Sequence, residues 1–109
     1  MEFNEYQKKA WGTAVYPNKG NNVIYPMLGL GGEAGEVLEK MKKILRDFNG
    51  EISDQKKEEM KKELGDVLWY LATISTELGL DFEDVVQTNI KKLASRKERE
   101  VIHGEGDNR

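Results

Sequence analysis

The 109-residue chain contains no cysteine. Disulfides and thiolate metal sites are therefore excluded, and a reducing compartment fits. There is one histidine, His103. A carboxylate–histidine di-iron bundle, which needs a histidine in each of two Glu-x-x-His elements, is thereby excluded. No apolar run approaches the roughly 20 residues of a membrane span. Met1 is followed by EFNEYQKK, which lacks the apolar stretch of a signal peptide. The expected location is the cytoplasm. Positive charge is not in excess, with 17 Lys and Arg against 20 Asp and Glu. No basic field then recommends nucleic acid or a membrane surface as partner. No segment alternates with period two, so no strand is expected.

What is present is charge and helical periodicity. A charged fraction of 34% with only two prolines suits a helical protein, and the length suits one domain with a modest core. Four helices are predicted. The first runs from about Glu5 to Val15 with Asn4 as N-cap. YPNKGNN, residues 16–22, is a loop. The second runs from Pro26 to Phe48 and stops at Asn49-Gly50. Ser53 or Asp54 caps the third, which ends at Leu78 before Gly79. Asp81 caps the fourth, which reaches about Glu100 and buries Phe82, Val86, Ile90 and Leu93. Residues 101–109, VIHGEGDNR, form a polar tail behind a single domain of residues 1–100. Short connections favour antiparallel neighbours, so the expected fold is an all-α, antiparallel four-helix bundle-like protomer.

The second and third helices echo each other. EAGEVL, Glu33 to Leu38, aligns with ELGDVL, Glu63 to Leu68, at an offset of 30 residues. The apolar series Leu30, Ala34, Val37, Met41, Ile44 and Phe48 pairs with Met60, Leu64, Val67, Leu71, Ile74 and Leu78. On each helix the first acidic residue of the pair lies roughly 60° from the centre of the apolar stripe and the second roughly 120°, on the same side. The midpoint between the acidic pairs falls at Asn49-Gly50. An antiparallel hairpin turning there brings Glu33, Glu36, Glu63 and Asp66 to one level. Four unpartnered carboxylates beside a core are costly, and a hard divalent cation with oxygen ligands is the simple remedy, Mg²⁺ by default with Mn²⁺ as substitute. The bland alternative is a set of solvated helix faces, with Glu36–Lys40 and Glu39–Lys43 as ordinary i,i+4 pairs.

Other features are less specific. Asn89, Lys92 and Arg96 share one flank of the fourth helix, where such donors suit phosphate oxygens or simply complement the helix dipole. Trp69 lies roughly opposite the apolar stripe of the third helix. A lone bundle would leave it in water, which points to burial against another subunit. Trp11 is either a core residue or part of a nucleobase pocket. Gly29, Gly31, Gly32 and Gly35 crowd the start of the second helix, each costing about 1 kcal/mol relative to alanine.

GLGGEAGEVLEK followed by ELGDVLWYLA resembles the MazG-like all-α nucleoside triphosphate pyrophosphohydrolases. The likeness runs from FNEYQ through NIKKLASR to GEGDNR. Its specific part is an ExxE and an ExxD separated by 26 residues. The resemblance implies Mg²⁺-dependent hydrolysis of a (d)NTP to the monophosphate and pyrophosphate, and assembly as a dimer or dimer of dimers. It implies that Glu33, Glu36, Glu63 and Asp66 are catalytic metal ligands. Asn89, Lys92 and Arg96, matching N-x-x-K-L-x-x-R, would face the phosphates, with Arg109 of the tail reaching them. Tyr70 would lie near the nucleoside. The family often has a further glutamate where this chain has Gly32, so the general base is unassigned, with Glu39 or a ligand carboxylate as candidates. The glycines would let backbone, phosphates or a second helix approach, unless Gly35 and Gly65 merely pack helix on helix. The rival reading is a non-catalytic dimeric helical module that binds nucleotide or a protein partner.

Overall fold

The computed structural model describes residues 1–109 as four helices without a strand: α1 (Phe3–Thr13), α2 (Ile24–Asp47), α3 (Asp54–Glu77) and α4 (Phe82–Glu98). The all-α expectation is met. The long helices α2 and α3 form an antiparallel hairpin. Its turn is made by Asn49 and Gly50, both left-handed at φ 56° and 78°. Ser53 caps α3, its hydroxyl accepting from the Lys56 amide at 3.2 Å. Gly79, at φ 71°, stops α3, with the Leu80 amide reaching back to the Ser75 carbonyl at 2.8 Å.

The helices make an open arrangement centred on α3. This helix touches α1, α2 and α4, whereas α2 touches α3 alone. Ala10, Ala72 and Phe82 form the small fully buried core where α1, α3 and α4 meet, with Tyr6 and Trp69 packed on it. Trp69 is thus only partly in water. α1 covers it, and its indole N–H donates to the Thr13 hydroxyl at 2.8 Å. Part of the burial expected from another subunit is thus supplied by α1.

Two end-caps also differ from expectation. Asn4 does not cap its own helix; Glu2 occupies that position without a side-chain bond. Asn4 Oδ1 instead accepts from the Glu83 amide at 2.9 Å, and Gln7 Oε1 accepts from the Phe82 amide at 2.8 Å. Asp81 precedes α4 but its side chain caps nothing. The orphan amides of α4 are satisfied by α1, which fastens the two helices together. Gln7 Nε2 completes the joint by donating to the Leu80 carbonyl at 2.8 Å and the Thr76 hydroxyl at 3.1 Å.

A second latch holds the loop between α1 and α2. Glu77, at the end of α3, accepts from the Tyr16 hydroxyl and from the Gly20 and Asn22 amides. Burial works to raise its carboxyl, but these three bonds together hold it below the ordinary glutamate value. Tyr16 in turn stacks on Tyr25, ring centroids 4.8 Å apart.

Much of the apolar stripe remains uncovered. Of the twelve paired positions on α2 and α3, only Ile44 is fully buried, while Leu64 is 55% and Phe48 52% exposed. On α4, Phe82 is buried as expected, but Ile90 and Leu93 are exposed. The chain exposes 8069 Å², where a compact monomer of 12.5 kDa exposes about 6,200 Å². Its radius of gyration is 16.8 Å against about 13 Å for a compact chain of this length.

Replacing Gln7 with alanine strands the Phe82 amide and removes three bonds. We expect it to cost about 2 kcal/mol and lower the Tm by about 10 °C. Thermal melts followed by circular dichroism check this, and an unchanged Tm would remove the joint from the account.

Candidate metal centre

The hairpin turn at Asn49-Gly50 sets the register. Residues equidistant from it face each other: Gly29 with Tyr70, Glu33 with Asp66, and the Asn22 amide with Glu77. On an α-helix, residues three and four apart share a face, so Glu63 and Asp66 of α3 point at the same place as Glu33 of α2. One carboxylate oxygen from each of the three lies within 4.8 Å of the other two. Glu33 and Glu63 are half-buried and Asp66 is exposed.

Glu36 was expected in the same group, and it is not there. It is exposed, one turn along α2, close enough that its charge acts on Glu33. It lines a neighbouring cleft with Glu39, Lys40 and Lys56. Its expected i,i+4 partner has gone elsewhere: Lys40 crosses to α3 and lies 3.8 Å from Glu63. Glu39 is held by Lys42 at 2.9 Å and Lys43 at 3.8 Å. The Lys42 hydrogen bond keeps its carboxyl below the ordinary range.

Burial pushes the Glu33 carboxyl up, and Asp66, Glu63 and Glu36 push it further. Lys40 at 3.8 Å from Glu63 only partly offsets this crowding of negative charge. Three oxygen donors at this spacing, from two rigid helices, fit a hard divalent cation that takes carboxylates and water.

Tyr70 stands beside the cluster, one turn beyond Asp66. Burial, then Tyr25, Glu33 and Asp66, raise its hydroxyl pKa. Its ring lies directly over Gly29. A Cβ on residue 29 would be 2.2 Å from Tyr70 Cε1, so only glycine admits the ring there. Gly31, Gly32, Gly35 and Gly65 meet nothing within 4 Å. The packing explanation for Gly35 and Gly65 finds no neighbour within the chain.

The α4 flank is arranged differently from expectation. Asn89 and Lys92 are exposed, Lys92 lying 3.6 Å from Asp107. Arg96 is only 5% exposed. The tail folds back over it, and its guanidinium donates to the Asp107 carbonyl at 2.6 Å and the Gly106 carbonyl at 3.5 Å. Arg109 does not project outward either. It staples the tail by donating to the Val101, Ile102 and Gly106 carbonyls. Trp11 is half-buried against Tyr16, with Lys19 Nζ 4.7 Å from its ring centroid. Sequence reasoning missed Lys40, Tyr25 and Glu77. An i,i+4 template assigned Lys40 to its own helix, and the other two depend on a loop's path.

With this geometry in view, the comparisons with known proteins decide the family. Residues 25–101 match the profile described as the MazG nucleotide pyrophosphohydrolase domain. The chain belongs to the MazG family. The match takes in α2, α3 and α4, hence all three clustered carboxylates. The chain is also similar to the Gene 37 protein of Mycobacterium phage L5, 45% identical over 114 residues and covering the full length of both. No solved structure matches. No helix of this MazG-family chain is long and apolar enough to cross a membrane.

The raised Glu33 carboxyl gives a pH prediction. Between the ordinary glutamate value of 4.5 and its raised one, the folded chain holds a proton that the unfolded chain has lost, so stability falls as pH rises. Without metal, the Tm should drop through this window. Glu33→Gln should flatten that drop and raise the Tm at neutral pH. A variant that melts with the wild-type pH profile would show that the Glu33 carboxyl is not raised.

Proposed function

We propose that the protein is a Mg²⁺-dependent pyrophosphohydrolase cleaving a (d)NTP to the (d)NMP and pyrophosphate. The observation that carries this reading is the convergence of Glu33, Glu63 and Asp66 from facing helices in a chain of this family. Glu33, Glu63 and Asp66 would hold the cation, and Glu36, adjacent and without an ion pair, would join them. A divalent ion there would supply positive charge against the triphosphate and lower the pKa of a bound water.

In the proposed reaction a water oxygen bonds to the α-phosphorus, and the bond from that phosphorus to the oxygen leading to the β-phosphorus breaks. The water's proton leaves to a base, and pyrophosphate departs with the bonding pair. Glu39 is a poor choice of base, because two lysines hold it as the carboxylate and depress its proton affinity. Tyr70, seated by Gly29 beside the cluster, would wall the nucleoside end. Of the three expected α4 groups, Asn89 and Lys92 have the exposure to meet phosphate. Arg96 and Arg109, committed to tail carbonyls, would act by shaping the tail.

The uncovered apolar surface supports assembly as a dimer or dimer of dimers. The excess over a compact monomer is about 1,900 Å², more than the roughly 800 Å² that each partner gives to a standard interface.

The test is a panel of NTPs and dNTPs with Mg²⁺, assayed for pyrophosphate, with Glu63→Gln and Asp66→Asn alongside. We expect release from the wild type and a loss of about a hundredfold or more in each variant. Turnover that survives both variants would remove the site assignment. Nucleotide binding without release would favour the non-catalytic module. Gly29→Ala should displace the Tyr70 ring and raise KM, with circular dichroism confirming that the helices are retained; an unchanged KM would detach Tyr70 from substrate. Light scattering should give a multiple of 12.5 kDa, and a monomer at micromolar concentration would refute assembly.

A further inference from the structure

The only ion pair made by any of the three clustered carboxylates is Lys40 to Glu63. It crosses from α2 to α3 at 3.8 Å, with side chains 31% and 20% exposed. The other lysines lining the adjacent cleft of roughly 120 Å³ are engaged elsewhere. Lys43 is 3.8 Å from Glu39, and Lys56 is 3.1 Å from Glu59 with its ammonium over the Phe48 ring. Lys40 follows Glu33 by seven residues and Glu36 by four, so all three lie along one side of α2.

We infer that Lys40 is the resident counter-ion of the metal-free carboxylate cluster, displaced from Glu63 when a divalent cation binds and then free to hold a phosphate oxygen of the substrate. The phosphate half of this role rests on the pyrophosphohydrolase reading; the counter-ion half does not. The chemistry suits an exchange. An ammonium is a point charge on a flexible four-carbon stem. A pair at this distance and exposure is weak, so a doubly charged ion can replace it. Once Glu63 is neutralised from the other side, Lys40 is repelled by the ion and left without a partner beside the cluster. A polyphosphate arriving at that ion brings the anionic oxygens that an unpaired lysine takes.

The two halves of this role have opposite signs on mutation. In Lys40→Met the cluster loses its only competing cation. Mg²⁺ alone, titrated by calorimetry, should bind about three- to tenfold more tightly than to wild type. Inorganic pyrophosphate titrated at saturating Mg²⁺ should bind about tenfold more weakly or worse. Lys40→Arg should bring both values back toward wild type, and Lys40→Gln should repeat the methionine result with a polar side chain. A merely structural ion pair would lower the metal-free Tm and leave Mg²⁺ affinity unchanged. Unchanged or weaker Mg²⁺ binding in Lys40→Met would overturn the counter-ion role. Unchanged pyrophosphate binding would overturn the handover. If the wild type takes Mg²⁺ but no pyrophosphate, the reaction proposed above and the handover fall together, while the Mg²⁺ titration still judges Lys40.

Discussion

The structure depends on a repulsion that its own packing enforces. Glu33, Glu63 and Asp66 lie on two helices whose register is fixed by the turn at Asn49-Gly50, by Tyr70 seated on Gly29, and by the Glu77 latch at the far end. None of these contacts belongs to the cluster itself. They hold three carboxylates together whether or not anything neutralises them, and burial first, then the neighbouring carboxylates, raise the Glu33 carboxyl. Such an arrangement suits the divalent cation that the proposed function requires. Active sites are where strained electrostatics of this kind are retained.

The openness of the chain follows the same logic. A small core at Ala10, Ala72 and Phe82 is enough to anchor α1, α3 and α4, and cross-helix hydrogen bonds from Asn4 and Gln7 do much of the fastening. The α2–α3 hairpin presents its carboxylates on one side and leaves leucines along others. A hairpin that closed all its apolar surface within one chain would leave no cleft beside the carboxylates. Gly31, Gly32 and Gly35 leave open space around the acidic stretch of α2.

What was legible in the sequence was what depends on helical periodicity. The four helices fall within a few residues of their expected ends, and the hairpin centre predicted from the echo between EAGEVL and ELGDVL is the observed one. Glu33, Glu63 and Asp66 meet because period and register are both local properties. The misses come from contacts between distant segments. Trp69 was read against its own helix, and its cover comes from α1, 56 residues away. Asn4 was read as a cap for α1, and caps α4, 79 residues on. Arg96 was expected to face phosphate, and nothing in a polar, glycine-containing tail says that its own carbonyls would take up the guanidinium instead. Glu36 was grouped with the others by spacing and by family resemblance; it sits one turn along α2, outside the group of three but near enough for its charge to act on Glu33. Chain similarity then supplied what geometry does not carry: the family, and with it the class of substrate.

The most direct test of the central claim is a crystal structure grown with Mn²⁺ and measured for anomalous scattering. The account predicts a strong anomalous peak between Glu33, Glu63 and Asp66, with Lys40 withdrawn from Glu63. A peak elsewhere, or none at saturating Mn²⁺ with the three carboxylates still together, would contradict it.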